Sequence, residues 1–265
     1  AIEANDVSLI TGVGASVRTN LVEAGYATLQ SIATANETEL VKVRRIGAST
    51  AKKIVVSAQA LQGQKPLRRG ELAEIRRGKT EVFFDFEGAQ NQDELDGQEL
   101  VNYLIGAVHR TPGNEGEYTE FFADTFDAEG ENLVHFLEWA DSLEDPIFYH
   151  WHHYEHTHLT KMVERHGVDP ELGAVVLDRL EDLSPWATKG YAFPAYGEGL
   201  KAIAKCLGFH WEQDDVTGVG SMDLYTNYVQ SGSTDQAYKE KIVVYNKDDC
   251  FATMHIYDWV MAQQR

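Results

Sequence analysis

Two cysteines in 265 residues, Cys206 and Cys250, are too few for a disulfide framework, and they lack the CxxC spacing of a metal or redox site. No signal-peptide pattern opens the chain, so a reducing, cytoplasmic setting is expected. No apolar run approaches the roughly 18 residues that a membrane span needs, so no membrane association is expected. The glycine-containing GVGAS at residues 12–16 lacks the GxxxxGK[ST] frame, which excludes a P-loop ATPase. Basic residues are also scarce: 23 Lys and Arg face 42 Asp and Glu, a formal charge of −19. Taken as an average, that deficit argues against a polyanionic partner, because phosphate backbones are held mainly by Lys and Arg. The first residue is Ala1 rather than Met, so further domains of the same polypeptide are expected on either side.

What is present is enough apolar material for a core, 43% hydrophobic and 11% aromatic, which excludes a disordered acidic tail. The charge is also unevenly placed. Residues 1–80 hold 12 basic and 7 acidic residues, net +5, whereas residues 81–265 hold 11 and 35, net −24. The change falls near Gln62–Lys79, where Pro66, three glycines and six basic residues read as a linker or basic arm. The expected division is a helical module over 1–62, a basic linker over 63–79 and a second domain over 80–265.

Within the first part, GASVRTNLVEAG from Gly14 and GASTAKKIVVSA from Gly47 form a near-repeat 33 residues apart. Each copy runs from a glycine into a helical pattern, Val17, Leu21 and Val22 in one and Ala51, Ile54 and Val55 in the other. Glycine allows a tight turn and close backbone approach, and the unpaired N–H groups of a helix start attract anions. LITGVGAS and VRRIGAST resemble the hairpins of tandem helix-hairpin-helix modules, which bind duplex backbone without reading bases. That resemblance implies nucleic-acid contact, DNA favoured over RNA, through Gly12, Gly14, Arg45, Gly47, Lys52 and Lys53, with Arg18 and Arg44 adding charge. Arg45 stands where the pattern has glycine, so a tilted or weaker second hairpin is expected. A bundle used only for packing or for a protein partner is the other reading.

From Glu81 the period changes to two. In VFFDFE, Phe83, Asp85 and Glu87 share one strand face and Val82, Phe84 and Phe86 the other. Two carboxylates on an apolar strand are costly to bury without a cation, a basic partner or a solvent-facing groove. Strands at Leu100–Val108 and about Glu117–Asp124 complete a meander. A helix carrying Leu133, Phe136, Leu137 and Ala140, a strand Ile147–His150 and a mainly helical remainder follow.

That order resembles an RNase H-like fold, an α/β mixed sheet flanked by helices, and the acidic motifs resemble those of DEDD-type 3′ to 5′ exonucleases. The first motif is Asp85 and Glu87 in FFDFEG. The second is YHWHHYEHTHL, where Glu155 stands in place of the usual aspartate. The third is YNKDD, with Tyr245 and Asp249 four apart and so on one helix face, which makes the pattern the DEDDy type. Asp248, about 100° away, is expected at the surface or as a helper. YHWHHYE, AYGEGLKAIAKCLGF and YNKDDCFATMHIYDW are further similar to predicted nuclease domains of bacterial RecB-family proteins. The resemblance implies a nuclease working in DNA repair or recombination with two divalent ions, Mg²⁺ or Mn²⁺, held by Asp85, Glu87, Glu155 and Asp249. Tyr245 would orient the attacking water. Hard ions suit such carboxylates. The second reading, prompted by Glu155, is a nucleic-acid- or protein-binding module with a defective metal site.

Six of ten histidines fall between His150 and His166, which raises the possibility of zinc, although HExxH is absent. Packing and surface positions, with one or two rings lining the groove, are the expected outcome. Trp151, Trp186, Tyr191 and Phe193 are expected to be buried rather than stacked on bases.

Overall fold

The computed structural model describes residues 5–90, 100–213 and 218–264. A short 3-10 turn, Val7–Leu9, precedes helices α1 (Ala15–Glu23), α2 (Leu29–Ala33), α3 (Glu37–Leu40) and α4 (Ala48–Gly63), then a two-residue strand β1 (Leu67–Arg68). Strands β2 (Thr80–Gln90), β3 (Leu100–Arg110) and β4 (Glu117–Phe122) follow, then α5 (Glu129–Asp141), β5 (Pro146–His150), α6 (Tyr154–Arg165) and α7 (Pro170–Leu177). The rest is β6 (Leu180–Asp182), α8 (Leu183–Gly190), β7 (Tyr191–Ala192), α9 (Leu200–Cys206), α10 (Gly218–Gln230) and α11 (Gln236–Ala262).

The chain forms two compact units, and neither is continuous in sequence. One runs up to Glu74 and takes in Pro185–Phe209; the other comprises Ile75–Ser184 and the chain from His210 onward. The expected division into 1–62, 63–79 and 80–265 is linear and so differs from this grouping. A strand cannot stand alone: β1, inside the expected linker, finds its antiparallel partner in β7, Leu67 opposite Ala192 and Arg68 opposite Tyr191. Arg68 donates to the Tyr191 hydroxyl at 2.7 Å and the Trp186 indole N–H donates to the Ala73 carbonyl at 3.0 Å.

In the first unit the local rules are obeyed. Thr28 and Ser31 form a reciprocal capping box at α2, and Asn36 caps α3. Leu21, Ile32, Leu40, Ala51, Ile54 and Ala58 are fully buried in one cluster, which Val55 joins and Val17 packs against, whereas Val22, read as part of the first apolar stripe, is exposed.

In the second unit a five-stranded sheet has the order β4-β3-β2-β5-β6, with β2 antiparallel to β3 and parallel to β5. The alternation along β2 decides its two faces. Val82, Phe84 and Phe86 pack with Leu133, Phe136, Leu137 and Ala140 of α5 and with Leu159 and Met162 of α6. Phe83, on the opposite face, lies 5.1 Å from the Tyr149 ring and 5.3 Å from that of Tyr257 on α11. The ends of β2 and β3 are tied to α11 by an ion network centred on buried Arg110 and Glu81: Arg110 on β3 donates to Glu81 on β2 at 2.8 Å and to the exposed Asp258 on α11 at 2.8 Å, while the Tyr257 hydroxyl donates to Glu81 at 2.9 Å. Trp151, Trp186, Tyr191 and Phe193 are all buried. No helix among the described residues is long and apolar enough to cross a membrane.

Candidate active site

Asp85 and Glu87 sit two apart on β2, opposite Gly106 and Leu104 of β3, with a bulge immediately after Glu87. Helix α11, its start capped by Asp235, crosses this face and brings Asp249 to it. Carboxylate oxygens of Asp85, Glu87 and Asp249 all lie within 4.8 Å of one another. The approach of α11 depends on Gly106. A Cβ there would stand 1.7 Å from the Asn246 Oδ1, so only a residue without a side chain lets this helix turn close on the sheet.

Each carboxylate has its own support. The Asn246 amide donates to the Asp85 carboxylate at 3.1 Å and to its carbonyl at 3.2 Å, and Asn246 is itself held by the Tyr118 hydroxyl at 3.0 Å. Glu87 accepts from the Ser221 hydroxyl of α10 at 2.6 Å, and Tyr103 donates to Ser221 at 3.1 Å. Asp249 accepts from the Trp211 indole N–H at 2.7 Å and shares a hydrogen bond with the Tyr245 hydroxyl one turn earlier. Glu155, buried in the first turn of α6, lies 3.2 Å from the Nδ1 of buried His150 and is near enough to Asp85 to act as its hydrogen-bond partner. All five expected site residues of this domain therefore meet in one place, Glu155 being outside the tightest group of three.

Electrostatics follow from that crowding. Burial, then the charges of Asp249, Glu87 and Glu155, push the Asp85 carboxyl well above the usual carboxylate range. The Tyr245 hydroxyl is pushed up by burial and by Asp249, Glu87 and Asp85, so it stays a neutral donor at any working pH. Cys250 behaves likewise, buried and donating to the Gly106 carbonyl at 3.3 Å. A buried site of hard oxygen donors that repel one another has the composition that takes a hard divalent cation. The residues thus fit such an ion.

Asp248, expected at the surface or as a helper, is not at the surface. It is buried and accepts from the Glu212 backbone N–H at 2.7 Å, because the segment after α9 covers that side of α11. The histidines scatter: His150 enters the site, while His152, His153, His156 and His166 are exposed. Among the described residues the acidic group is the one able to hold a metal with three or more donors, and no zinc-type histidine set forms. Trp211, Ser221 and Asn246 were not legible as site residues. Asn246 lies inside the YNKDD motif, but Trp211 and Ser221 reach the site from segments with no motif of their own.

In the first unit, Gly14 and Gly47 are the N-caps of α1 and α4, with φ/ψ of −77°/170° and −88°/171°. A Cβ on either would meet nothing within 4 Å. Gly12 has φ +94°, and its counterpart Arg45 takes φ +67°, so both hairpins use a left-handed residue at this position, in the second at the cost of a left-handed arginine. Lys53 lays its stem 3.5 Å from the position of a Gly12 Cβ, and Lys52 and Arg45 are exposed. Arg18, by contrast, is engaged in a two-pronged contact with Asp6 at 2.8 and 2.6 Å.

Comparison with known proteins agrees with both halves. Residues 82–261 match the model of the RNase H superfamily, and residues 5–60 match that of the SAM-like helix-hairpin-helix tandem. Over 56 residues the chain is 41% identical to two proteins named DNA repair and recombination protein RadA, from Methanoculleus marisnigri and Methanocorpusculum labreanum. That stretch is 21% of this chain and 17% of each relative, so the chain spans about a sixth of their length. No solved structure matches the chain.

Proposed function

The chain belongs to the RNase H superfamily, and on that premise we propose that it is a metal-dependent nuclease, a 3′ to 5′ exonuclease of the DEDDy type acting on DNA. The observation that carries this reading is the meeting of Asp85, Glu87 and Asp249 within 4.8 Å, with Tyr245 bonded to Asp249. Asp85, Glu87 and Asp249 would hold one divalent ion and Asp85 with Glu155 a second, Mg²⁺ or Mn²⁺. Bound ions of this kind activate water, neutralise the phosphate and stabilise the leaving oxygen. The chain's own part is positional: Asn246 and Ser221 fix the carboxylate rotamers, Trp211 orients Asp249, and the neutral Tyr245 hydroxyl is placed to orient the attacking water. His150 aims Glu155 at Asp85, which supports Glu155 as a working second-motif acid and weighs against a defective site.

DNA as substrate and a role in repair or recombination rest on the helix-hairpin-helix tandem, on its likeness to a stretch of the RadA proteins, and on the motif resemblance to RecB-family nuclease domains. The test is an end-labelled assay on matched single-stranded DNA and RNA with Mn²⁺, Mg²⁺ or EDTA. Metal-dependent shortening from the 3′ end of DNA, lost in Asp85→Asn and Asp249→Asn, is expected. Full activity in either variant, or none in the wild type with any divalent ion, would sink the reading.

A further inference from the structure

The first unit contains a pocket in which the lysines of the second hairpin meet cations that the repeat does not supply. The opening turn of α4, the residues after β1 and the end of α8 wall a cavity of about 420 Å³, inside the range of roughly 300–1,000 Å³ common for ligand sites. Four cations line it, Lys52, Lys53, Arg69 and Lys189, together with Ser49, Pro185 and Thr188. Three stretches of chain more than a hundred residues apart at the extremes deliver these charges to one place, and a solvated surface lysine needs no such convergence.

Their backbone is fixed. The Arg69 and Gly70 N–H groups both donate to the Gly190 carbonyl, at 2.8 and 3.2 Å, and a Cβ on Gly70 would stand 2.9 Å from the Lys189 carbonyl. The Arg69 side chain is largely buried, and burial lowers its pKa against the opposing pull of Glu198. Glu198 is the carboxylate that faces this group, 3.3 Å from Lys53 and 3.6 Å from Arg69. Lys52 and Lys189 are exposed at the rim and make no ion pair among the described residues. The wall is thus left with an excess of positive charge, beside the free N–H groups at the start of the sixteen-residue α4.

We propose that this pocket binds a backbone phosphate of the nucleic acid on which the protein acts, so that Lys189 and Arg69, outside the helix-hairpin-helix repeat, extend its grip. The inference rests on the nuclease reading for its ligand, and its chemistry is that of a phosphodiester held by convergent cations. Lys189 is the informative position, since the hairpin resemblance assigns it nothing.

The experiment uses the full chain in EDTA, with a fluorescein-labelled DNA oligonucleotide followed by anisotropy from 50 to 200 mM salt. Lys189→Glu is expected to weaken binding about threefold to tenfold at 50 mM and to lower the slope of log affinity against log salt by about one. Lys241→Glu, at an exposed lysine of α11 that does not line the pocket, corrects for net charge alone. Equal affinity and slope in the Lys189 and Lys241 variants, with the wild type binding well, overturns the pocket and leaves the nuclease reading standing. No salt-dependent binding by the wild type removes the nuclease reading and the pocket together. A wild type that binds inorganic phosphate by calorimetry, a Lys189 variant that does not, and unchanged oligonucleotide affinity would make this a small-anion site and overturn the proposal.

Discussion

Replacing Asp85 by asparagine should make the metal-free protein more stable while abolishing its response to metal. Three carboxylates within 4.8 Å repel by on the order of 3 kcal/mol per ionised pair at an effective dielectric near 20. The raised Asp85 pKa shows how the fold limits that cost, by keeping a proton where the unfolded chain would release it. The sign follows. A carboxylate whose folded value lies above its unfolded value of 3.8 contributes stability that is complete below pH 4 and is lost as pH rises through the folded value. Above the folded value the wild type has lost it, whereas an amide has nothing to lose. The Asn246 contact survives in part, since the new amide oxygen still accepts from it. At about 2–4 °C per kcal/mol and about 3 kcal/mol of repulsion relieved, Asp85→Asn should melt about 5–10 °C above the wild type in EDTA at the alkaline end of the pH range and about level with it at pH 4. Mn²⁺ at a hundredfold excess over its dissociation constant should add about 2.7 kcal/mol to the wild type and little to the variant. Scanning calorimetry across pH, with EDTA or Mn²⁺, measures both. A metal-free variant that melts at or below the wild type across the whole pH range, or one that keeps the full Mn²⁺ shift, would refute the crowding argument.

Two further outcomes are expected. Asn246→Ala should leave the fold intact but weaken Mn²⁺ binding by about 10–100-fold by calorimetry, because Asp85 loses its orienting amide, whereas Gly106→Ala, forced against that amide, should cost stability as well, about 1–3 kcal/mol by denaturant unfolding. In the hairpins, Gly14→Ala and Gly47→Ala should keep wild-type stability, having negative φ and open space, and weaken DNA binding. Gly12→Ala, at φ +94°, should lose about 1 kcal/mol in the same unfolding assay. Equal destabilisation at all three positions would mean that the glycines serve the turn alone.

The parts of the site legible in advance were those with a local period. Alternation along β2 put Asp85 and Glu87 on one face, and the four-residue spacing of Tyr245 and Asp249 put them on one side of a helix. Asp248 shows where that logic stops. Helical geometry correctly turned it away from Asp249, but whether that side met water depended on the Glu212 segment folding back over it. Arg45 is a similar case. Its side chain argued for a distorted hairpin, yet it adopts the left-handed turn because the helices on either side are already fixed by a shared core of Leu40, Ile46 and Ile54. The histidine run was conspicuous in sequence and has little to do with the site beyond His150, since a strand end and a helix start splay the rings apart.

By itself the sequence determined the two-part charge distribution, the repeat, the strand that carries the DxE pair and the acidic residues that meet, since each of these is written in residue type and short spacing. Only the tertiary structure decided that Trp211, Ser221 and Asn246 hold those acids, that Gly106 lets α11 close on the sheet, and that Pro185–Phe209 packs with the N-terminal helices and brings Lys189 to Lys52, Lys53 and Arg69. The reason is physical: periodicity reports which way a side chain points from its own element. What it meets there is set by burial and hydrogen-bond satisfaction among elements distant in the chain, which no local pattern encodes.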